Sequence, residues 1–129
     1  MTAFDDIGGE GPVRAVLQEL YDRLFEDPIV GFLFEGKDKA RIVEQQVAFT
    51  SAFLGGPNRY TGKAMPEVHA QLPLLPGHFD RRHHVLKQVL EAHGVPEAVR
   101  ATWLRIDAGL RSSVLATGEE AREMTRKAP

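Results

Sequence analysis

His69 stands in the stretch Met65-Pro66-Glu67-Val68-His69-Ala70-Gln71-Leu72, where helical spacing puts Met65, Val68 and Leu72 on one face with its ring. An imidazole on an apolar stripe must satisfy its nitrogens. It can bind a buried metal or cofactor, or it can bond a backbone carbonyl as a core residue. Spacing alone favours the core histidine, and only a wider constellation of residues overturns that reading.

Other polar residues interrupt apolar stripes in the same way. Gln46 lies in the middle of the Ile42–Phe49–Phe53 arc, Gln45 at its edge, and Tyr21 in the inward stripe of the preceding segment. A buried hydroxyl and a buried amide both need partners. Tyr21 and Gln46 can satisfy one another or a carbonyl, or they can form a donor cluster aimed at a polar ligand in an apolar pocket. The sequence leaves these readings even. Arg82 falls inside the arc of Phe79, Val85, Leu86 and Val89, and Asp107 beside Trp103 and Val114. A lone buried charge is very costly. Either the charged ends reach solvent, or the last two helices pack and Arg82 pairs with Asp107. Of the remaining histidines, His78, His84 and His93 are expected in solvent, and His83 lies near the inward arc.

The elements that must position these groups are all helical. Val13, Val16, Leu17, Leu20, Tyr21, Leu24 and Phe25 recur at three and four residues, after a glycine-rich start at Pro12 and before Asp27-Pro28. A short apolar patch, Ile29 to Phe34, precedes the Ile42–Phe53 helix, which Gly55-Gly56-Pro57 ends. The short helix of His69 follows, Pro66 forcing an abrupt start. A fourth helix is expected from about Gly77 to His93 with Phe79, Leu86, Val89 and Leu90 inward. A fifth, from about Pro96, buries Val99, Trp103, Ile106, Leu110 and Val114. No alternating strand pattern and no internal repeat occur, so the expected fold is all-α, helix pairs stacked in two layers. Residues 1–117 read as the domain and 118–129 as a charged, frayed tail. The chain starts almost at its first helix, so no N-terminal extension is expected to gate access.

With 129 residues, 43% hydrophobic and 26% charged, the chain is long enough for one real core. A net charge of −2 with mixed signs gives no reason to expect a nucleic-acid partner. The absence of cysteine excludes disulfides, thiolate metal sites and thiol catalysis. No apolar run reaches the length of a membrane span and no signal peptide opens the chain, so a cytoplasmic location without membrane partners is expected.

Taken in order, several segments resemble the truncated haemoglobins, two-over-two helical globins, and most of all their first group. They are Ile7-Gly8-Gly9-Glu10, Glu19-Leu20-Tyr21-Asp22-Arg23, Gly31-Phe32-Leu33-Phe34, Gln45-Gln46-Val47-Ala48-Phe49, Leu54-Gly55-Gly56-Pro57-Asn58-Arg59-Tyr60-Thr61-Gly62, Met65 to His69, and Gly94-Val95-Pro96-Glu97. The resemblance spans about residues 4 to 115. It implies haem b as cofactor, with His69 as the proximal iron ligand. It implies Phe34 against the porphyrin, and Tyr21 and Gln46, with Gln45 nearby, as distal donors to bound ligand. Ile42, Phe49, Leu54, Tyr60, Met65, Val68, Leu74, Phe79 and Ile106 match positions that line the haem pocket. Neutral imidazole suits haem iron and leaves the opposite face open, while O–H and N–H donors strengthen the hold on partly anionic bound dioxygen. Gln45 is a poor iron ligand, so no internal residue is expected at the sixth position.

Three residues depart from the pattern. Arg82 and Asp107 stand where the family usually keeps apolar residues, and Thr50 where a larger apolar or aromatic one is common. Arg82 is therefore a further pocket candidate. It is open to three readings: a positive donor to an anionic ligand or peroxide, half of a salt bridge closing the ligand tunnel, or the mark of a degenerate globin without haem. The retention of His69, Tyr21, Phe34 and Gln46 argues against the last. The expected function is reversible binding of dioxygen, nitric oxide or carbon monoxide, serving oxygen storage, transport or sensing. Nitric oxide dioxygenation or peroxidase-like chemistry is also allowed. No flavin or nicotinamide motif is present, so a reductase would be a separate protein. The rival expectation is a haem-free helical interaction or sensor module.

Overall fold

Thr2 starts a helix that apolar periodicity does not announce. Its hydroxyl accepts from the Asp5 N–H at 3.1 Å while its own N–H donates to the Asp5 carboxylate at 3.2 Å, a reciprocal cap. The structure, a computed structural model, describes residues 1–57 and 75–111. Within them lie α1 (Ala3–Ile7), α2 (Glu10–Glu26), a 3-10 turn (Gly31–Phe34), α3 (Lys39–Phe53), α4 (Pro76–Ala92) and α5 (Glu97–Gly109). The expected His69 helix, Val114 and the tail from residue 118 lie outside the described residues. No helix among the described residues is long and apolar enough to cross a membrane.

α2 is the central element. Val13, Val16, Leu17, Leu20, Tyr21 and Leu24 are all buried, as their spacing predicts. It packs on α3 along one side and α4 along another, and α4 packs on α5. Two helix pairs therefore stack in two layers. α4 buries Phe79, Val85, Leu86, Val89 and Leu90. α5 buries Val99, Trp103 and Asp107, with Ile106 and Leu110 only half-buried. α1 closes one end by packing against α2 and α5.

α3 departs from expectation in a way that matters for the site. Its buried face is Val43, Val47, Thr50 and Ser51. The stripe Ile42–Gln46–Phe49–Phe53 sits one residue away, a rotation of about 100°. Ile42, Gln46 and Phe49 are half-buried and Phe53 is 47% exposed. The apolar stripe read from the sequence thus borders the core and does not fill it.

The corner after α2 is held by one carboxylate. Asp27 Oδ1 accepts from the backbone N–H groups of Ile29 and Val30 at 2.8 and 3.2 Å. Its Oδ2 accepts from Arg81 Nε and Nη2 at 3.0 and 2.8 Å, tying the corner to α4. The hydrogen bond from Arg81, aided by the two backbone donors, holds the Asp27 carboxyl below its ordinary range against the opposing effect of burial. Beyond α3, Gly55 has φ +96°, and a Cβ there would lie 2.7 Å from Thr2 Cβ. A hydrogen bond from the Phe4 N–H to the Leu54 carbonyl at 2.9 Å fixes the approach of the two segments.

Gly55→Ala should lose about 2 kcal/mol in urea denaturation, combining left-handed strain with the clash on Thr2. Asp27 adds a pH dependence. Its folded pKa is depressed, so its contribution is complete above the unfolded value near 3.8 and is lost as pH falls through the folded value. Asp27→Asn should therefore be less stable than the parent at pH 7 and show a flatter acid-unfolding curve, the two converging toward pH 2.

Candidate functional site

The 3-10 turn carries Phe34 to the side of α2, where it stacks on Phe25 at 4.8 Å and meets the Tyr21 ring edge-on at 6.0 Å. Tyr21 is 4% exposed, so its hydroxyl must find a partner inside the protein. Among the described residues that partner is neither Gln46 nor a carbonyl. Arg82 Nη2 donates to the Tyr21 hydroxyl oxygen at 3.4 Å, and the guanidinium lies 5.9 Å from the ring centroid. The mutual Tyr21–Gln46 satisfaction that the sequence allowed does not occur.

Arg82 is also paired, as one of the two sequence readings held. Its Nη1 donates to Asp107 Oδ1 at 2.6 Å. His83 Nδ1 takes the other oxygen at 2.8 Å. Their side chains are 22% exposed for Arg82, 31% for His83 and 6% for Asp107. Burial works to raise the Asp107 pKa, but the Arg82 charge and the hydrogen bonds from His83 and Arg82 outweigh it and hold the carboxyl below its ordinary range. Burial likewise opposes the charge on Arg82, and its contacts with Tyr21 and Asp107 more than restore it. The sequence left His83 undecided, its place near the inward arc being the signal that pointed to it.

Asp107 also lines a cavity of about 20 Å³, enough for about one water-sized group. The wall includes Gln46, Phe49, Thr50, Phe53 and Leu54 from the α3 side and Trp103, Ile106 and Leu110 from α5. Of the two glutamines only Gln46 faces it; Gln45 is exposed. Gln46 makes no hydrogen bond to a described residue. Among the other expected pocket residues, Phe34, Ile42, Phe49 and Ile106 are half-buried, and Leu54 and Phe79 are buried. Tyr60, Met65, Val68, His69 and Leu74 lie outside the described residues. Thr50 and Trp103 join the wall although periodicity placed Trp103 in the core.

His78 and His93 differ in part from the expected solvated state. The ring of His78 accepts from the Leu75 N–H at 3.0 Å and so caps α4, and His93 reaches Glu19 at 3.0 Å. His84 is exposed.

Two layered helix pairs, an aromatic turn against a buried tyrosine and a glutamine facing a cavity from α3 fit a two-over-two globin. The chain belongs to the bacterial-like globins, whose family model matches residues 2–115. It is 35% identical over 98 residues to a group 1 truncated haemoglobin of Tetrahymena pyriformis, covering 76% of this chain and 81% of that protein. The group 1 truncated haemoglobin of Mycolicibacterium paratuberculosis is 34% identical over 119 residues, 92% of this chain and 87% of its own. The solved Fe(III) form of the Tetrahymena pyriformis protein superimposes with a TM-score of 0.83 at 31% identity, covering 89% of this chain and 98% of that one. Membership of this family makes the chain a haem-based binder of small ligands in general terms.

The described residues fit such a group. Ile42, Phe49 and Phe53 present a half-open apolar stripe suited to a flat porphyrin, and the uncommitted Gln46 amide stands on the same face. Among the described residues no cluster of three or more His, Cys, Asp or Glu could hold a metal ion, so none offers a rival metal site.

Asp107→Ala leaves Arg82 without its counter-charge in a mostly buried place and should cost about 3 kcal/mol in denaturant titration. Arg82→Met with Asp107→Leu removes both charges together and should recover most of that loss. Additive losses in the double variant would show that the pair is not energetically coupled.

Proposed function

We propose that this chain holds haem b through His69 and reversibly binds dioxygen or another diatomic ligand on the opposite face. The observation that carries the reading is a buried Tyr21 against Phe34 on α2 and a Gln46 facing a cavity from α3, the helix packed on α2, within a chain of the bacterial-like globin family. When bound, haem supplies an iron with an open coordination position. The chain's own residues do the rest. Ile42, Phe49 and Leu54 exclude water from the ligand side, and Phe34 packs against the ring. The Tyr21 hydroxyl and the Gln46 amide donate to the polar end of the ligand, where charge-assisted hydrogen bonds strengthen retention. Gln45, exposed on α3, has no part in that donation. Tyr60, Met65, Val68, Leu74, Phe79 and Ile106 complete the apolar enclosure.

Oxygen storage or delivery and nitric oxide dioxygenation both use such a site. The second joins dioxygen and nitric oxide into nitrate and leaves the iron one electron short, which a separate reductase returns.

The test is the visible spectrum of the purified full chain supplied with haem, in ferric, ferrous and carbon monoxide forms, beside His69→Ala. The expected result is a sharp Soret band that moves on reduction and again with carbon monoxide, and that is lost or altered in the variant. A folded chain that takes up no haem overturns the proposal. Stoichiometric nitrate on mixing the oxygenated form with nitric oxide identifies the dioxygenase role; slow nitrate formation leaves storage or delivery.

A further inference from the structure

A tyrosine hydroxyl has one proton to give and lone pairs to fill, and the neighbour's choice between them decides what the group can still do. Tyr21 is buried, where any carbonyl or carboxylate within reach would take its proton. Arg82 meets it instead. A guanidinium holds donors only, so Nη2 engages the Tyr21 oxygen, at 3.4 Å, and leaves the proton alone. Among the described residues the hydroxyl donates to no acceptor. The rival acceptor is Asp107, on the other arm of the same guanidinium. Both of its oxygens are engaged: Oδ1 accepts from Arg82 Nη1 at 2.6 Å, and Oδ2 lies 2.8 Å from His83 Nδ1. Arg82 thus bridges a buried carboxylate and a buried hydroxyl that would otherwise suit one another as acceptor and donor.

We propose that Arg82 is a positioning residue for ligand retention: by engaging the Tyr21 oxygen and occupying Asp107, it reserves the Tyr21 proton for the bound ligand. This role rests on the haem reading above, in which Tyr21 donates to that ligand, and adds what keeps the donor free. Arg82 does not line the small cavity that Gln46 faces, so it acts through Tyr21 and not on the ligand. Without its side chain, an anionic acceptor and a hydroxyl are left in a mostly buried place where water competes weakly, and the proton turns to Asp107. His83 supports the arrangement by occupying the second Asp107 oxygen.

The test compares Arg82→Met with the parent in the haem-reconstituted full chain, by two measurements. Ultraviolet Raman bands of the ligand-free ferrous form, taken as the difference from Tyr21→Phe, tell a phenol oxygen that accepts from a hydroxyl that donates. The parent should show the accepting form and Arg82→Met the donating one. Oxygen loss, followed by stopped flow, should quicken about tenfold in Arg82→Met, the scale of one hydrogen bond, while carbon monoxide loss changes by no more than about twofold. In a Tyr21→Phe background the same substitution should leave oxygen loss within about twofold, which a merely structural ion pair would not do. Arg82→Lys, again a cation with donors only, should keep the accepting form. It decides alone should Arg82→Met not fold, and a donating Tyr21 in it overturns the proposal. So does a Tyr21 signature unchanged in Arg82→Met, or equal quickening of oxygen and carbon monoxide loss. Haem uptake alongside any of these failures leaves the haem reading standing; a chain that takes up no haem overturns both.

Discussion

A carboxylate inside a helical core sets the terms for the rest of this molecule. Asp107 occupies the inward face of α5, one turn beyond Trp103, where it is almost wholly withdrawn from bulk solvent. Uncompensated, such a charge would cost several kcal/mol, comparable to the net stability of a small domain. Compensation has to come from α4, and Arg82 and His83 supply it as consecutive residues. The α4–α5 contact therefore combines the apolar packing of Leu86, Val89, Val99 and Trp103 with a polar clasp. Arg82 then extends the clasp to α2 through Tyr21, so a single carboxylate organises contacts among three helices.

The second constraint is the one-residue rotation of α3. A stripe of Ile42, Gln46, Phe49 and Phe53 directed into the core would have packed directly on α2, burying an amide with no partner. Turning the helix by about 100° gives the core the smaller residues Val43, Val47, Thr50 and Ser51 and permits closer approach of α2. The larger apolar side chains and Gln46 are thereby delivered to the border of the core. The cavity wall then takes Gln46, Phe49 and Phe53 from that border, with Thr50 from the buried face beside them.

Much of this was legible in the sequence. α2 and α4 follow their apolar periodicity within a residue or two, each with one buried stripe, and α5 begins where Pro96 places it, though of its expected inward residues that are described only Val99 and Trp103 are fully buried. The pairing of Arg82 with Asp107 could be anticipated because two charges breaking two apolar arcs have few other ways to be accommodated. α1 was missed for a physical reason: it buries no residue fully, so its signal is the Thr2–Asp5 cap and not an apolar stripe. The orientation of α3 was misread because both of its faces are apolar, and only the packing partner decides which one is core. Gln46 at the centre of the Ile42–Phe49–Phe53 arc and Gln45 at its edge keep their order in the structure, the first half-buried and the second exposed. The division of Asp107 between two partners was hidden as well, since adjacent residues on a helix point about 100° apart and spacing does not reveal that one acceptor lies between them.

Stability does not explain why the clasp is polar. A buried ion pair commonly contributes no more than apolar side chains of the same volume, and often less, because desolvation offsets most of the attraction. Leucine and methionine at these two positions would satisfy the packing of α4 on α5 equally well. What apolar residues could not do is place a permanent positive charge on the hydroxyl of Tyr21. An ordinary buried tyrosine would spend its proton on the nearest carbonyl, and its donor capacity would be lost to the fold. Here the hydroxyl oxygen is engaged as an acceptor, and its proton makes no hydrogen bond to a described residue. Asp107 is the counter-ion of Arg82 in this mostly buried place, so the carboxylate that costs the core most is also what holds a cation beside the Tyr21 hydroxyl.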